Sequence, residues 1–175
     1  LVIAMVPDAK KPEVFSELDE RLFATPSIAL ERCHEVAAKH AVTAVEALKE
    51  SLTVLERYSP ALASSIREKE EQTDHYEDIL STYLVRLSTR QISEADSTEA
   101  AKLLKVIGDF ERIADHSVNL LESAEELNSK GMTLTDLARK EYKVISSAVH
   151  EILDHTLTAF LNNDMNAAAQ VEPLE

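Results

Sequence analysis

The chain has 175 residues, with 18 Lys and Arg against 32 Asp and Glu, for a net charge of −14. That charge disfavours non-specific contact with nucleic acid or an anionic lipid surface, and it favours solubility and cation binding. Two glycines, five prolines, no tryptophan and 5% aromatics describe a long-helix protein rather than a sheet protein. Cys33 is the single cysteine, which excludes an intrachain disulfide and a thiolate metal cluster and fits a reducing compartment.

Residues 1–24 read as a linker and lead-in, broken by Pro7 and Pro12. The opening apolar run, Leu1 to Val6, falls well short of the roughly 20 residues a membrane span needs, and no basic leader marks it as a signal peptide. The missing initiator methionine reads as a piece of a longer protein or a trimmed one, and Leu174-Glu175 reads as a native end or a cloning scar. Thr25-Pro26 predicts a helix start, with Thr as N-cap and Pro in the first turn. The helix runs to about Tyr58, with Ala41, Ala44, Val45, Leu48, Leu52 and Leu55 on one face. Ser59-Pro60 repeats the signal for a second helix, to about Ser88, whose stripe is Ile66, Leu80, Leu84 and Leu87.

Residues 89–96 are polar and predict a loop, with Asp96-Ser-Thr-Glu99 as a capping box opening a third helix to about Asn128. Gly131 can take the left-handed conformation that ends it. Thr133-Leu-Thr-Asp136 opens a fourth helix to about Leu161, Asn162-Asn-Asp164 breaks it, and a short final helix follows. Helices of this length span about 40–50 Å at 1.5 Å per residue, and short loops make neighbours antiparallel. The fold class is all-α, an elongated antiparallel helical bundle. A faint repeat runs through it at an offset of 105: Glu46, Leu48, Leu52, Thr53, Ala63 and Glu70 match Glu151, Leu153, Leu157, Thr158, Ala168 and Glu175. A tandem three-helix unit gives such a pattern, and so in part do two unrelated amphipathic helices.

Two pairs of acids stand out. Glu111 and Asp115 lie one turn apart on the third helix, and Glu70 and Asp74 lie one turn apart on the second. In a chain this acidic, four-residue spacing is weak evidence by itself. The position of the pairs says more, because Leu104, Glu111, Asp115, Val118 and Leu121 share helical spacing, as do Ile66, Glu70, Asp74 (or Thr73), Glu77, Leu80 and Leu84. Acids within an apolar stripe are costly unless they are paired or bound to metal. Gly108 costs about 1 kcal/mol against Ala in a helix interior, which a close approach of a neighbouring backbone would justify. The competing reading puts the acids at the edge of the stripe, paired with Arg67, Lys69, Lys105 or Arg112. His75 and His116 follow the two aspartates as ligands or surface groups, and Asp78 and Asp109 flank the site as extensions of it.

The segment Phe110-Glu-Arg-Ile-Ala-Asp-His-Ser-Val-Asn119 resembles the signature helix of the PhoU family, and Glu70 to Ile79 resembles that family's other motif-bearing helix. The lead-in Leu18-Asp-Glu-Arg-Leu-Phe-Ala-Thr-Pro-Ser-Ile-Ala-Leu30 is similar to the segment joining membrane and PhoU-like parts in bacterial sodium/phosphate cotransporter family proteins. The resemblance implies a PhoU-like three-helix unit over 25–128 and the first part of a second, incomplete unit over 129–175. It implies a metal site at Glu70, Asp74, Glu111 and Asp115 holding iron or zinc, with other divalent metals open. Glu175 would be the first acid of a second motif set.

The function so implied is that of a regulatory domain, not an enzyme, on the cytoplasmic side of a sodium-dependent phosphate transporter. Its partners would be the transmembrane part of its own transporter, a second copy of itself or a phosphate-signalling protein, with no nucleic acid and no membrane insertion by this segment. The alternative is a metal-free helical module for dimerisation or interaction. A di-iron carboxylate enzyme needs a Glu-x-x-His on each of two helices. Only Glu31-Arg-Cys-His34 has that spacing, near a helix end. Cys33 and His34 point about 100° apart on a helix and form no dyad, so Cys33 reads as a packing residue.

Overall fold

A computed structural model describes residues 18–174, and every regular element among them is helical. The elements are a 3-10 turn Glu20–Ala24, α1 Pro26–Glu56, α2 Pro60–Ser88, α3 Glu94–Ser129, α4 Asp136–Asn162, α5 Met165–Ala168 and a closing 3-10 turn Glu172–Leu174. Among these residues no helix is long and apolar enough to cross a membrane.

Prolines and caps set the boundaries. Pro26 and Pro60 stand in the first turns of α1 and α2, where a missing N–H costs nothing, but neither Thr25 nor Ser59 makes a side-chain cap bond. The Thr25 carbonyl does that work, accepting from the N–H groups of Ile28 and Ala29 at 3.0 and 3.2 Å. α3 begins at Glu94, earlier than the box expected at Asp96. Ser93 is the N-cap and accepts from the Asp96 N–H at 3.1 Å, so Asp96 occupies the third position of the box rather than the cap. At the far end Gly131, at φ 61°, gives a Schellman turn: the Met132 N–H reaches the Leu127 carbonyl at 2.9 Å and the Gly131 N–H the Asn128 carbonyl at 3.1 Å. Thr135 caps α4, accepting from Ala138 at 3.2 Å, and Asn163 ends it at φ 50°.

α1 is the central helix, packed against α2, α3 and α4. The core forms three clusters along its length. One joins Leu30, Cys33, Val36 and Ala37 to Leu80, Leu84, Leu87, Leu103 and Ile107, and the middle one joins Ala41, Ala44 and Val45 to Phe110, Ala114 and Leu153. The last joins Val54, Ala63, Ile66, Leu121 and Ala124. The stripes expected on α1 and α2 bury as read: Ile66, Leu80, Leu84 and Leu87 are fully enclosed. Between Ile66 and Tyr76, Thr73 is the one buried residue of α2, and no α2 residue enters the middle cluster. The apolar core therefore shifts toward α4 at mid-bundle, leaving the α2/α3 seam to polar residues.

Residues 1–17 of the expected linker lie outside the described residues. From Leu18 onward the lead-in is packed: Leu18, Leu22 and Phe23 cover the first cluster, Phe23 lies 4.7 Å from the Tyr83 ring, and the Tyr83 hydroxyl donates to the Asp19 carbonyl at 2.9 Å. α4 carries a single fully buried residue, Leu153. It is held to α1 by the Tyr142 hydroxyl donating to the Leu52 carbonyl at 2.8 Å and by an ion pair of Lys49 with Asp154. The Phe160 ring meets Phe110 of α3 at 5.2 Å. Shifted by 105 residues, Pro60 at the start of α2 falls on Met165 at the start of α5.

Gly108 has open space where a Cβ would stand, with nothing within 4 Å. No neighbouring backbone approaches it, contrary to the expectation from its cost in a helix.

Candidate metal centre on the α2/α3 seam

Antiparallel packing of α2 and α3 brings the two acid pairs together. Glu70, Asp74 and Asp115 each offer a carboxylate oxygen, and the three oxygens lie within 4.8 Å of one another. Glu111 stands beside this triad, and after desolvation the Asp115 carboxylate acts on it closely enough to raise its pKa. Glu70 and Glu111 are half-buried, while Asp74 and Asp115 are exposed. The acids thus border the stripe rather than interrupt the core. The buried positions of α3 are Ala100, Leu103, Ile107, Phe110, Ala114, Ser117, Leu121 and Ala124, one phase away from Glu111 and Asp115.

The seam floor is small and polar. The Thr73 hydroxyl donates to the Glu70 carbonyl at 2.8 Å, and the buried Ser117 hydroxyl donates to the Ala114 carbonyl at 2.5 Å. These groups are satisfied within their own turns, so burying them costs little. Deeper, across the α1/α3 interface, His40 is fully buried with its Nε2–H donating to the Ile107 carbonyl at 3.0 Å. Its ring packs edge-on between Tyr76 and Phe110, and Nδ1 has no hydrogen-bond partner.

The electrostatics are those of acids crowded together. Desolvation, then the charges of Asp74 and Asp115, raise Glu70 above the ordinary glutamate range. Desolvation and the charges of Asp115 and Glu77 raise Asp74, and desolvation with Asp115 and Asp74 raises Glu111. Among the described residues the cations expected to pair with them form no ion pair there, although the charge of Arg67 opposes the rise at Glu70. Arg67 reaches Glu125 at 2.7 Å and Lys69 reaches Glu50 at 2.7 Å. Among the described residues neither Lys105 nor Arg112 forms an ion pair with the acids.

The flanking candidates separate from the site. His75 and Asp78 line a small cleft with Leu18, Glu20, Tyr83 and Arg86, on another side of α2. Asp109 faces a groove of about 870 Å³ between α3 and the end of α4, bounded also by His34, Lys102 and Phe160. His116 is exposed and does not join the oxygen cluster. Glu175 lies outside the described residues. The sequence reading left Glu77 out of the site, yet its charge acts on both Asp74 and Glu111; its position one turn after Asp74 was the available signal. It also missed His40, which only its spacing with Val36, Ala37 and Ala44 would have placed in the core.

No di-iron arrangement forms around Glu31 and His34: Glu31 is exposed and His34 lies 3.0 Å from Glu99. Cys33 is fully buried, and desolvation pushes its thiol up to about 12, so it is a packing residue without nucleophilic character.

Both acid pairs lie inside a stretch that a known domain family covers. Residues 38–124 match the PhoU domain. The matched stretch spans most of α1, all of α2 and most of α3, and the all-helical bundle described above is consistent with a PhoU helical bundle. No curated protein and no solved structure matches the chain significantly.

Proposed function

We propose that this PhoU-like domain regulates phosphate transport by bridging α2 and α3 with a divalent cation held by Glu70, Asp74, Glu111 and Asp115. The observation that carries the reading is the convergence of three carboxylate oxygens within 4.8 Å, with desolvation and the charge of Asp115 also raising the pKa of Glu111 beside them. Such crowding raises carboxylate pKa values and is relieved by a positive charge between the oxygens. The donors are all oxygen. That set fits Mg, Mn, Ca or ferrous iron and lacks the nitrogen and sulfur ligands of most structural zinc sites, so iron is the better fit of the two metals expected. A bound cation would supply charge neutralisation and tie the helices together; the protein supplies the spacing and the small Thr73–Ser117 floor.

Metal analysis of the purified chain beside a variant with Glu70, Asp74, Glu111 and Asp115 all changed to Ala tests the site. Stoichiometric metal in the parent and none in the variant supports it. A parent that stays empty after reloading with iron, manganese, magnesium or zinc removes it.

The setting proposed is the cytoplasmic side of a sodium-dependent phosphate transporter, supported by the likeness of Leu18 to Leu30 to the joining segment of that transporter family and by the PhoU match that follows it. In the full-length protein, deletion of residues 18–175 is expected to change sodium-dependent phosphate uptake or its response to phosphate supply. Unchanged uptake and unchanged regulation would refute this setting while leaving the metal site to its own test.

A further inference from the structure

His40 is a polar residue in the dry core, and the metal site proposed above gives it no part. It stands on α1 with its imidazole fully enclosed. The Ile107 carbonyl can only accept, so at 3.0 Å the ring carries its proton on Nε2 and Nδ1 is left as a bare lone pair. Nδ1 finds no hydrogen-bond partner among the described residues, a cost that a leucine in the same place would avoid. What the imidazole touches lies directly behind the acids. In the α-helical ladder the Ile107 carbonyl is the acceptor for the Glu111 N–H four residues on, and its two lone pairs allow it to take both donors. Gly108, next in the chain, has the lowest helix propensity of the α3 interior, so this turn gains most from an outside hold. The His40 ring also lies 6.1 Å from that of Tyr76, two residues beyond Asp74 on α2, and 6.3 Å from that of Phe110, which precedes Glu111 on α3. Glu77, whose charge reaches Asp74 and Glu111, reaches His40 as well.

From these contacts we infer that His40 is a positioning residue of the α2/α3 seam: one imidazole of α1 holds the Ile107–Glu111 turn of α3 and the Asp74–Tyr76 turn of α2 at the spacing where the carboxylates converge. The inference rests on the metal reading proposed above. The hydrogen bond sets α3 along its axis, because a carbonyl held from two sides cannot tilt away from α1 without giving up a donor. The edge-on contacts with Tyr76 and Phe110 set how far α2 and α3 stand from α1 at that level. A leucine would fill much of the same volume, but apolar contact is non-directional and leaves the turn free to slide and rotate by fractions of an ångström. Three oxygens gathered within 4.8 Å from two helices are sensitive to such a slip. Groups that orient a metal's ligands from behind typically change metal affinity by about 10–100-fold when they are removed.

The test joins two measurements on the whole chain: manganese(II) affinity, from the loss of the free-ion EPR signal, and backbone amide hydrogen exchange without metal. His40→Leu removes the donor and keeps an apolar side chain. It should weaken manganese binding by about 10–100-fold while the urea midpoint holds or rises. It should also speed exchange at Glu111 and its neighbours on that turn, and leave the amides around Leu84 and Leu121 unchanged. His40→Gln, which keeps an N–H to donate, should recover most of the affinity. Leu121→Ala, six residues beyond Asp115, should lower the urea midpoint yet leave manganese binding within about twofold. His40→Met, also without a donor, gives the same reading where the leucine variant does not fold. Equal affinity in the parent and His40→Leu overturns the inference, and so does an equal loss in Leu121→Ala. A loss that His40→Gln fails to recover overturns the hydrogen bond as the hold. A parent that binds no manganese removes the metal reading by itself. The positioning of Glu111 is then decided by exchange: faster only on its own turn in His40→Leu upholds it, and unchanged exchange overturns it.

Discussion

α3 has two sides with opposite physics. Toward α1 it is dry and closed: Ile107, Phe110, Ala114 and Leu121 are enclosed, and the buried His40, which crosses from α1, spends its N–H on the Ile107 carbonyl. Toward α2, within a turn of those residues, it is lined by Glu111 and Asp115 facing Glu70 and Asp74. A dry seam gains stability from burial and pays for any polar group it fails to satisfy. The acid seam gains nothing from burial, and its carboxylates repel. One helix can carry both because a shift of one residue turns a side chain by about 100°. The difference teaches that at mid-bundle the apolar packing of α3 lies on the α1 side, and that the α2 side there has been left with charge that a cation would relieve.

The largest effect should come from opening the dry seam. Ile107→Ala removes a fully enclosed side chain and is expected to cost about 2–5 kcal/mol in urea unfolding. On the other seam, Asp115→Asn removes like-charge repulsion and should leave the metal-free chain unchanged or stabilise it by about 0.2–0.5 kcal/mol. If the two substitutions cost the same, the two sides of α3 are not distinct.

The second effect appears only with a cation. At a concentration about 100 times its dissociation constant, a divalent ion bound only by the folded chain should add about 2.7 kcal/mol. For a domain of this size, that moves the melting midpoint up by about 2–4 °C per kcal/mol. Asp115→Asn should lose most of that shift, while Asp78→Asn and Asp109→Asn, which face other clefts, should keep it. Equal loss in all three variants would mean that the ion senses net charge rather than a site.

How much of this was legible in the sequence follows from the same division. Helix ends marked by Pro26, Pro60 and Gly131 read directly, because each residue has a backbone requirement that few positions satisfy. The start of α3 did not, since Ser93 and Asp96 are both cap formers and three residues apart, and only the folded turn shows which one caps. The four acids were recognisable, but their depth was not. Leu104 and Val118 shared their phase and made the stripe look central, whereas the true core positions Ala114 and Ser117 are too small or polar to register as a stripe. Glu77 and His40 escaped because their roles depend on which helix lies opposite.

Titration should separate the seams by sign. Burial lowers the pKa of His40, so below about 6.5, the ordinary imidazole value, the unfolded chain binds a proton that the folded chain refuses. The contribution of His40 is therefore complete above that pH and is lost as pH falls through its folded pKa. Glu70, Asp74 and Glu111 act in the opposite direction: raised in the folded chain, they bind protons more tightly there than when unfolded. Their penalty is absent below the ordinary carboxylate values and grows as pH rises through the shifted ones. Unfolding free energies measured between pH 4 and pH 8 should show His40→Gln flattening the acid side of the profile. Asp74→Asn should flatten the rise in penalty, most clearly in the absence of divalent ions. Identical profiles for both variants would place the two groups in one electrostatic environment and erase the contrast.

The smallest effect concerns Gly108, on the phase of α3 that carries Glu111 and Asp115. A Cβ there meets nothing within 4 Å, so Gly108→Ala gains helix propensity without a clash and should stabilise by about 1 kcal/mol at most. That expectation holds for the isolated chain and treats the space above Gly108 as belonging to solvent. If the same substitution destabilises, or if it is neutral alone but weakens the divalent-ion shift, the open volume beside the acids is part of what they hold. The acid seam would then extend one turn further along α3 than its carboxylates do.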